Sequence, residues 1–150
     1  MATENILPDG ANWLTPYITV SNAEASLAFY QKAFGFETGM TMPGPDGSPA
    51  HAEMKHQGNA IVMFAPEGAW GSTDKAPVNL KIDSPTSFYV YCADVDALAA
   101  QAKAAGAEIL NEPEDMFWGD RTVMLRDPDG YKWMFATKVG EFDPSKMPQM

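Results

Sequence analysis

Apolar and polar positions along the 150-residue chain switch between a period of two and a period near 3.6, and the switches mark out the elements. Leu14 to Val20 is a short β-rich run. Ser21 or Asn22 then offers an N-cap for a helix carrying Ala23, Leu27, Tyr30 and Phe34 on one face, and Gly35 stops it. Alternating segments follow at Phe36 to Met42, Ala50 to Lys55 and Ala60 to Ala65, with turns at Pro43-Gly44-Pro45-Asp46-Gly47 and Gln57-Gly58-Asn59. The same order then returns. It comprises a strand from Ser87 to Cys92, an Ala-rich helix from Val95 to Ala105, and strands at Glu108 to Leu110, Arg121 to Arg126 and Tyr131 to Lys138. The last two strands are joined by the tight turn Asp127-Pro128-Asp129-Gly130.

The two halves read as copies of one unit. A shift of 71 residues carries Gly35 onto Gly106, Leu27 onto Leu98, Ala28 onto Ala99, Lys32 onto Lys103, Ala33 onto Ala104 and Glu37 onto Glu108. It also carries Met63, Phe64 and Ala65 onto Met134, Phe135 and Ala136. Each copy is a βαβββ unit, so the expected fold is α+β: one domain of two modules, with module one at 13–66, a linker rich in Gly, Pro and Ser at 66–85, and module two at 86–138. A polar tail, 139–150, is expected to fray. One module leaves a sheet face exposed, whereas two together bury it.

Composition narrows the partners. Ten basic residues against twenty acidic ones leave a net charge of −10, which repels phosphate backbones and anionic lipid, so neither nucleic acid nor membrane is an expected partner. Cys92 is the single cysteine, which excludes a disulfide scaffold and suits a reduced, cytoplasmic setting. Ten Met, four Trp, five Tyr and eight Phe exceed the needs of a small core and point to a ligand pocket.

Three groups of residues carry candidate chemistry. The loop Phe117-Trp118-Gly119-Asp120-Arg121 sets two rings beside a carboxylate and a guanidinium, suited either to stacking on a flat ligand or to an ion pair over a plugging Trp. Met63, Phe88 and Met134 are expected to line the concave side of the strands. His51 and Glu53, two apart on one strand, share a face and suit either a metal contact or a structural hydrogen bond. His56 reads as a solvated turn residue, and Cys92, flanked by Asp94 and Asp96, as a buried thiol without an activating base. Acidic residues at Asp94, Asp96, Glu108, Glu112, Glu114 and Asp115 suggest a solvated face, or one that attracts a cationic ligand. No Ser-His-Asp order, phosphate loop or CxxC is present.

The segments Ala25-Ser26-Leu27-Ala28-Phe29-Tyr30, Ala33-Phe34-Gly35-Phe36-Glu37, His51-Ala52-Glu53, Asp115-Met116-Phe117-Trp118-Gly119-Asp120-Arg121 and Asp127-Pro128-Asp129-Gly130-Tyr131-Lys132-Trp133 together resemble the vicinal oxygen chelate superfamily. They are most similar to its PhnB-like glyoxalase and bleomycin-resistance branch. The resemblance implies paired half-barrels and a homodimer. It also implies a divalent ion in metal-dependent members, held by His and Glu on the first and last strands of each module. Carried onto this chain, those positions are Thr15, Met63, a residue between Thr86 and Phe88, and Met134, none of them an ordinary hard-metal ligand. Two function classes follow. One is a metal-free protein that binds a small molecule through Phe117, Trp118, Asp120, Arg121, Met63, Phe88 and Met134. The other is a glyoxalase-like lyase, isomerase or dioxygenase using a divalent ion at His51 and Glu53.

Overall fold

The computed structural model describes residues 6–150. Module one contains β1 (Tyr17–Val20), α1 (Ala23–Phe34), β2 (Glu37–Pro43), β3 (Pro49–His56) and β4 (Asn59–Pro66). The linker holds the short α2 (Pro77–Leu80). Module two contains β5 (Ser87–Tyr91), α3 (Val95–Ala104), β6 (Glu108–Asp115), β7 (Asp120–Arg126) and β8 (Lys132–Lys138). Each module builds one four-stranded sheet, ordered β1-β4-β3-β2 and β5-β8-β7-β6, with the first strand parallel to the last. This is the expected pair of βαβββ modules.

Several boundaries differ from the sequence reading, each for a physical reason. The first strand begins at Tyr17 rather than Leu14, because Pro16 has no N–H for a ladder, and Leu14 is exposed. Strand β6 runs on to Asp115 despite Pro113, since it lies at the sheet edge and its register shifts between Asn111 and Glu114. Asn22 is the N-cap of α1, its Oδ1 accepting from the Ala25 N–H, and Asp94 caps α3 in the same way.

The caps revise the repeat. Asn22 and Asp94 are 72 apart, and the strand pairs Tyr17–Met63 and Tyr89–Met134 show the same spacing in β1 and β5 but 71 in β4 and β8. The single residue is lost where the helices end. In module one the Phe36 N–H reaches the Tyr30 carbonyl, whereas in module two the Ala107 N–H reaches Ala102, one residue closer.

The modules share one core. Tyr30 and Phe34 of α1, with Phe36, pack on Trp133 and Phe135 of β8, the Phe34 and Phe135 ring centroids lying 4.7 Å apart. Ile18, Val62, Phe64 and Met54 of the first sheet and Val90, Val123 and Leu125 of the second join them. The turn Asp127–Gly130 locks this interface. Asp127 Oδ2 accepts from Tyr30 O–H at 2.7 Å and from Trp133 Nε1–H at 2.9 Å, and Asp129 accepts from the Ser21 N–H and from the Ser21 and Ser26 hydroxyls. His56 is no loose turn residue: its Nε2 lies 2.8 Å from the Tyr91 carbonyl and its ring sits against Phe36.

Candidate functional site

Strand alternation decides which side chains are free for chemistry. Because Ile18, Ala52, Met54, Val62 and Phe64 enter the core, Tyr17, His51, Glu53 and Met63 project from the opposite, outer face of the first sheet. By the same parity, Val90, Val123, Leu125, Trp133 and Phe135 face inward, leaving Tyr89, Tyr91, Asp120, Thr122, Met124 and Met134 on the outer face of the second.

On the second sheet these residues form a continuous network. The Trp118 Nε1–H donates to Tyr89 Oη at 2.9 Å, the Tyr89 O–H to Asp120 Oδ2 at 2.6 Å, and the Tyr91 O–H to the same oxygen at 2.8 Å. Asp120 is only 5% exposed, while Tyr89 and Tyr91 are 44% and 58% exposed. Desolvation, followed by the bond to Asp120, pushes the Tyr89 phenol up to about 12, and the bond to Asp120 raises that of Tyr91. Tyr89 pairs directly with Met134 in the ladder.

The loop carrying Trp118 is held by the tail expected to fray. The Val139 and Gly140 N–H groups donate to the Gly119 carbonyl, the Asp143 N–H donates to the Phe117 carbonyl, and Phe142 packs against Phe117. Gly119 has φ +100°, and a Cβ there would stand 2.7 Å from the Gly140 oxygen, so no larger residue fits under the strap.

Two of the expected site residues lie elsewhere. Arg121 projects from the face opposite Asp120 and grips Asp96 at the start of α3 through Nε and Nη2, with Nη1 on Asp115. Neither the Asp120–Arg121 ion pair nor a guanidinium beside Trp118 forms. Phe88 faces inward, packing on Trp133 at 4.8 Å and lining a cleft of about 540 Å³ between β1 and the start of β5, with Tyr17, Thr86 and Tyr131. The sequence reading missed Tyr89 and Tyr91. Period-two parity with Met134 picks them out once the strand register is known.

On the first sheet, Tyr17 Oη lies 2.8 Å from His51 Nδ1, and His51 is 8% exposed. Glu53 stands beside Met63, not beside a second imidazole. The residue paired with Met63 is Tyr17, not Thr15, and the residue paired with Met134 is Tyr89. The matched strand positions therefore present phenols and thioethers. Phenols and thioethers are not the hard donors that the superfamily's divalent ion takes, and within one chain no three of His, Cys, Asp and Glu among the described residues gather into a further donor cluster. Cys92 is half-buried, its thiol raised by desolvation and set 3.8 Å from Thr137 Oγ1.

A profile of the glyoxalase/bleomycin resistance protein/dioxygenase superfamily matches residues 10–135, and the chain belongs to that superfamily. An uncharacterised protein of Mycobacterium bovis is 32% identical over 130 residues, covering 85% of this chain and 84% of its own length. TioX from Micromonospora sp. ML1 superposes with a TM-score of 0.64 at 24% identity, over 84% of this chain and 99% of TioX. The fosfomycin resistance protein FosX of Listeria monocytogenes, solved with Mn(II) and a dihydroxypropylphosphonic acid, gives 0.63 at 16% identity, over 83% and 88% of the two chains. These structures share the fold. No helix among the described residues is long and apolar enough to cross a membrane.

Proposed function

We propose that the chain binds a small organic molecule on the outer face of the second sheet, around Trp118, Asp120 and Met134 together with Tyr89 and Tyr91, and without the superfamily's usual metal. The observation that supports this most directly is the Trp118–Tyr89–Asp120–Tyr91 network, a rigid aromatic platform on an exposed face. Phe117 serves it by anchoring the loop, while Arg121 serves the packing of α3. The reading places the chain with the binding proteins of the superfamily, such as the bleomycin-resistance and PhnB-like members, and in the cytoplasm.

The site is completed by a second copy of the chain. Met63 and Met134 lie on the outer faces of different sheets, and Tyr17 and Met42 are 54% and 40% exposed in a single chain. A homodimer that sets the first sheet of one copy over the second sheet of another turns two open faces into a pocket.

Thermal-shift screening of a chemically diverse library, followed by titration of each hit against Trp118→Ala, tests the reading. The expected loss is about 1–3 kcal/mol of binding, the usual worth of a stacking ring, with little change in melting temperature. A loss of about 3–5 kcal/mol of stability with unchanged affinity would assign Trp118 to the core instead. The second reading, a metal-dependent lyase, isomerase or dioxygenase, draws on His51 and Glu53 sharing one outer face. About one zinc, nickel, manganese or iron per purified chain, lost in His51→Ala, would establish it and overturn the metal-free proposal.

A further inference from the structure

The hydrogen bonds of the Trp118 cluster determine what it offers a ligand. An indole carries one donor hydrogen and a phenol carries one. Here the Trp118 hydrogen goes to Tyr89, and both phenol hydrogens go to Asp120 Oδ2. All three ring donors are therefore consumed inside the cluster. What remains is acceptor only: phenol lone pairs, the second oxygen of Asp120, and the negative faces of three aromatic rings. That second oxygen, Oδ1, accepts no hydrogen bond among the described residues and is not sealed from solvent.

Among the described residues no basic side chain forms an ion pair with Asp120, although Lys138 lies near enough to draw the Tyr91 phenol down against the larger rise from the bond to Asp120. Lys138, opposite Asp120 in the strand register, places Nζ 3.1 Å from Glu141, and Arg121 is held on the other face by Asp96 and Asp115. A carboxylate that is 5% exposed and lacks a counter-ion gains most from a cation brought by a ligand. Aromatic faces around it add attraction for the same charge and none for an anion.

We propose that this cluster is a binding site for an organic cation, a ligand that seats a quaternary or protonated ammonium between Asp120 Oδ1 and the rings of Tyr89, Tyr91 and Trp118. The assignment rests on the reading of this face as the ligand site, and it excludes phosphonates and carboxylates as the group bound here. The polarity is stable across the physiological range, because Tyr89 and Tyr91 stay protonated and keep their hydrogens on Asp120.

The experiment compares benzyltrimethylammonium, benzyl alcohol and benzylsulfonate, three probes of similar shape and different charge, by their shift of the Trp118 indole N–H resonance, assigned with Trp118→Phe. Saturable shifts with the ammonium at millimolar concentration are expected, with the sulfonate leaving the resonance in place. Asp120→Asn is expected to weaken the ammonium at least tenfold. Tyr91→Phe removes one hydrogen bond from Asp120 without removing the charge, so the ammonium should bind this variant as tightly as the native chain or more tightly, which keeps the test alive should Asp120→Asn misfold. Benzyl alcohol or benzylsulfonate shifting Trp118 as strongly as the ammonium, or tenfold weaker ammonium binding in Tyr91→Phe, overturns the cation assignment while leaving a ligand site in place. Silence from all three probes overturns both.

Discussion

Asp127 makes the stability of this fold depend on pH in an unusual direction. It is 4% exposed, and desolvation pushes its carboxyl up to about 6 even though Tyr30, Trp133 and the Tyr131 backbone all donate to it. For a carboxyl raised from an ordinary 3.8, the folded chain binds the proton more tightly than the unfolded chain. Its contribution is therefore fully present below about pH 4 and is lost as pH rises to about 6. An elevation of roughly two units, at about 1.4 kcal/mol each, makes this loss about 3 kcal/mol. Other carboxylates oppose it: Asp83 and Asp96 are held low by their Lys or Arg partners and stabilise the fold only as pH rises. The assay must isolate Asp127 from that background. Urea unfolding of the native chain and of Asp127→Asn at half-unit steps from pH 4 to 7.5 does so, because only the difference between the two curves reports the residue. Asn leaves a mismatched partner for Tyr30 and Trp133, but that cost does not titrate. The native chain should lose about 2 kcal/mol relative to the variant between pH 4 and pH 6.5, the part of the total that falls inside that window. A difference that stays flat, or that grows in favour of the native chain with pH, refutes the burial argument.

Other expectations follow from single contacts. Arg121→Lys should leave binding at the Trp118 face unchanged and lower the melting temperature only slightly, more so at low salt, because the pairs with Asp96 and Asp115 are exposed. Truncation after Val139 should leave the fold cooperative but shift Trp118 emission to the red, since Phe142 and the Asp143 N–H no longer hold the loop; unchanged emission would show that the loop holds its own shape. A fragment ending at Gly68 should show no sharp thermal transition, because it exposes Tyr30, Phe34 and Phe36 to water where Trp133 and Phe135 belong. Phe88→Ala should cost about 2 kcal/mol of stability through the lost packing on Trp133. Tyr89→Phe should instead disturb the Trp118 indole resonance and leave unfolding nearly as in the native chain; the reverse pattern would put the ligand face on the wrong side of β5.

Local signals carried most of the architecture. The turn residues around Pro43–Gly47 and Asp127–Gly130, the caps and the alternating runs were legible because each acts within a few residues. The docked tail was not, since what ties this polar segment with two prolines to the rest of the chain is the distant Phe117 and Gly119. The staple at Asp127 and Asp129 was likewise hidden: the sequence shows a tight turn, and nothing local reveals that its carboxylates accept from Tyr30, Ser21 and Ser26 of the other module. His56 posed the same difficulty, its partner being a backbone carbonyl 35 positions away.

The candidate site was only half legible because a β-strand assigns function by parity. Asp120 and Arg121 are neighbours in sequence, yet the pleat sends one to the outer face with Tyr89 and Tyr91 and the other beneath the sheet to Asp96. The offset between the two modules also changes along the chain, from 72 in the first strands to 71 in the last. Extending the 71-residue shift of β4 and β8 back to the first strands puts Phe88 in the place of Tyr17, beside Met134; the 72-residue spacing actually found there puts Tyr89 in that place. The exchange replaces a ring with no polar atom by one whose hydroxyl connects Trp118 to Asp120. The 72-residue spacing returns to 71 where the Ala107 N–H closes on Ala102, downstream of β5, so the helix end records the offset while the β5–β8 register decides that Tyr89 and not Phe88 stands beside Met134.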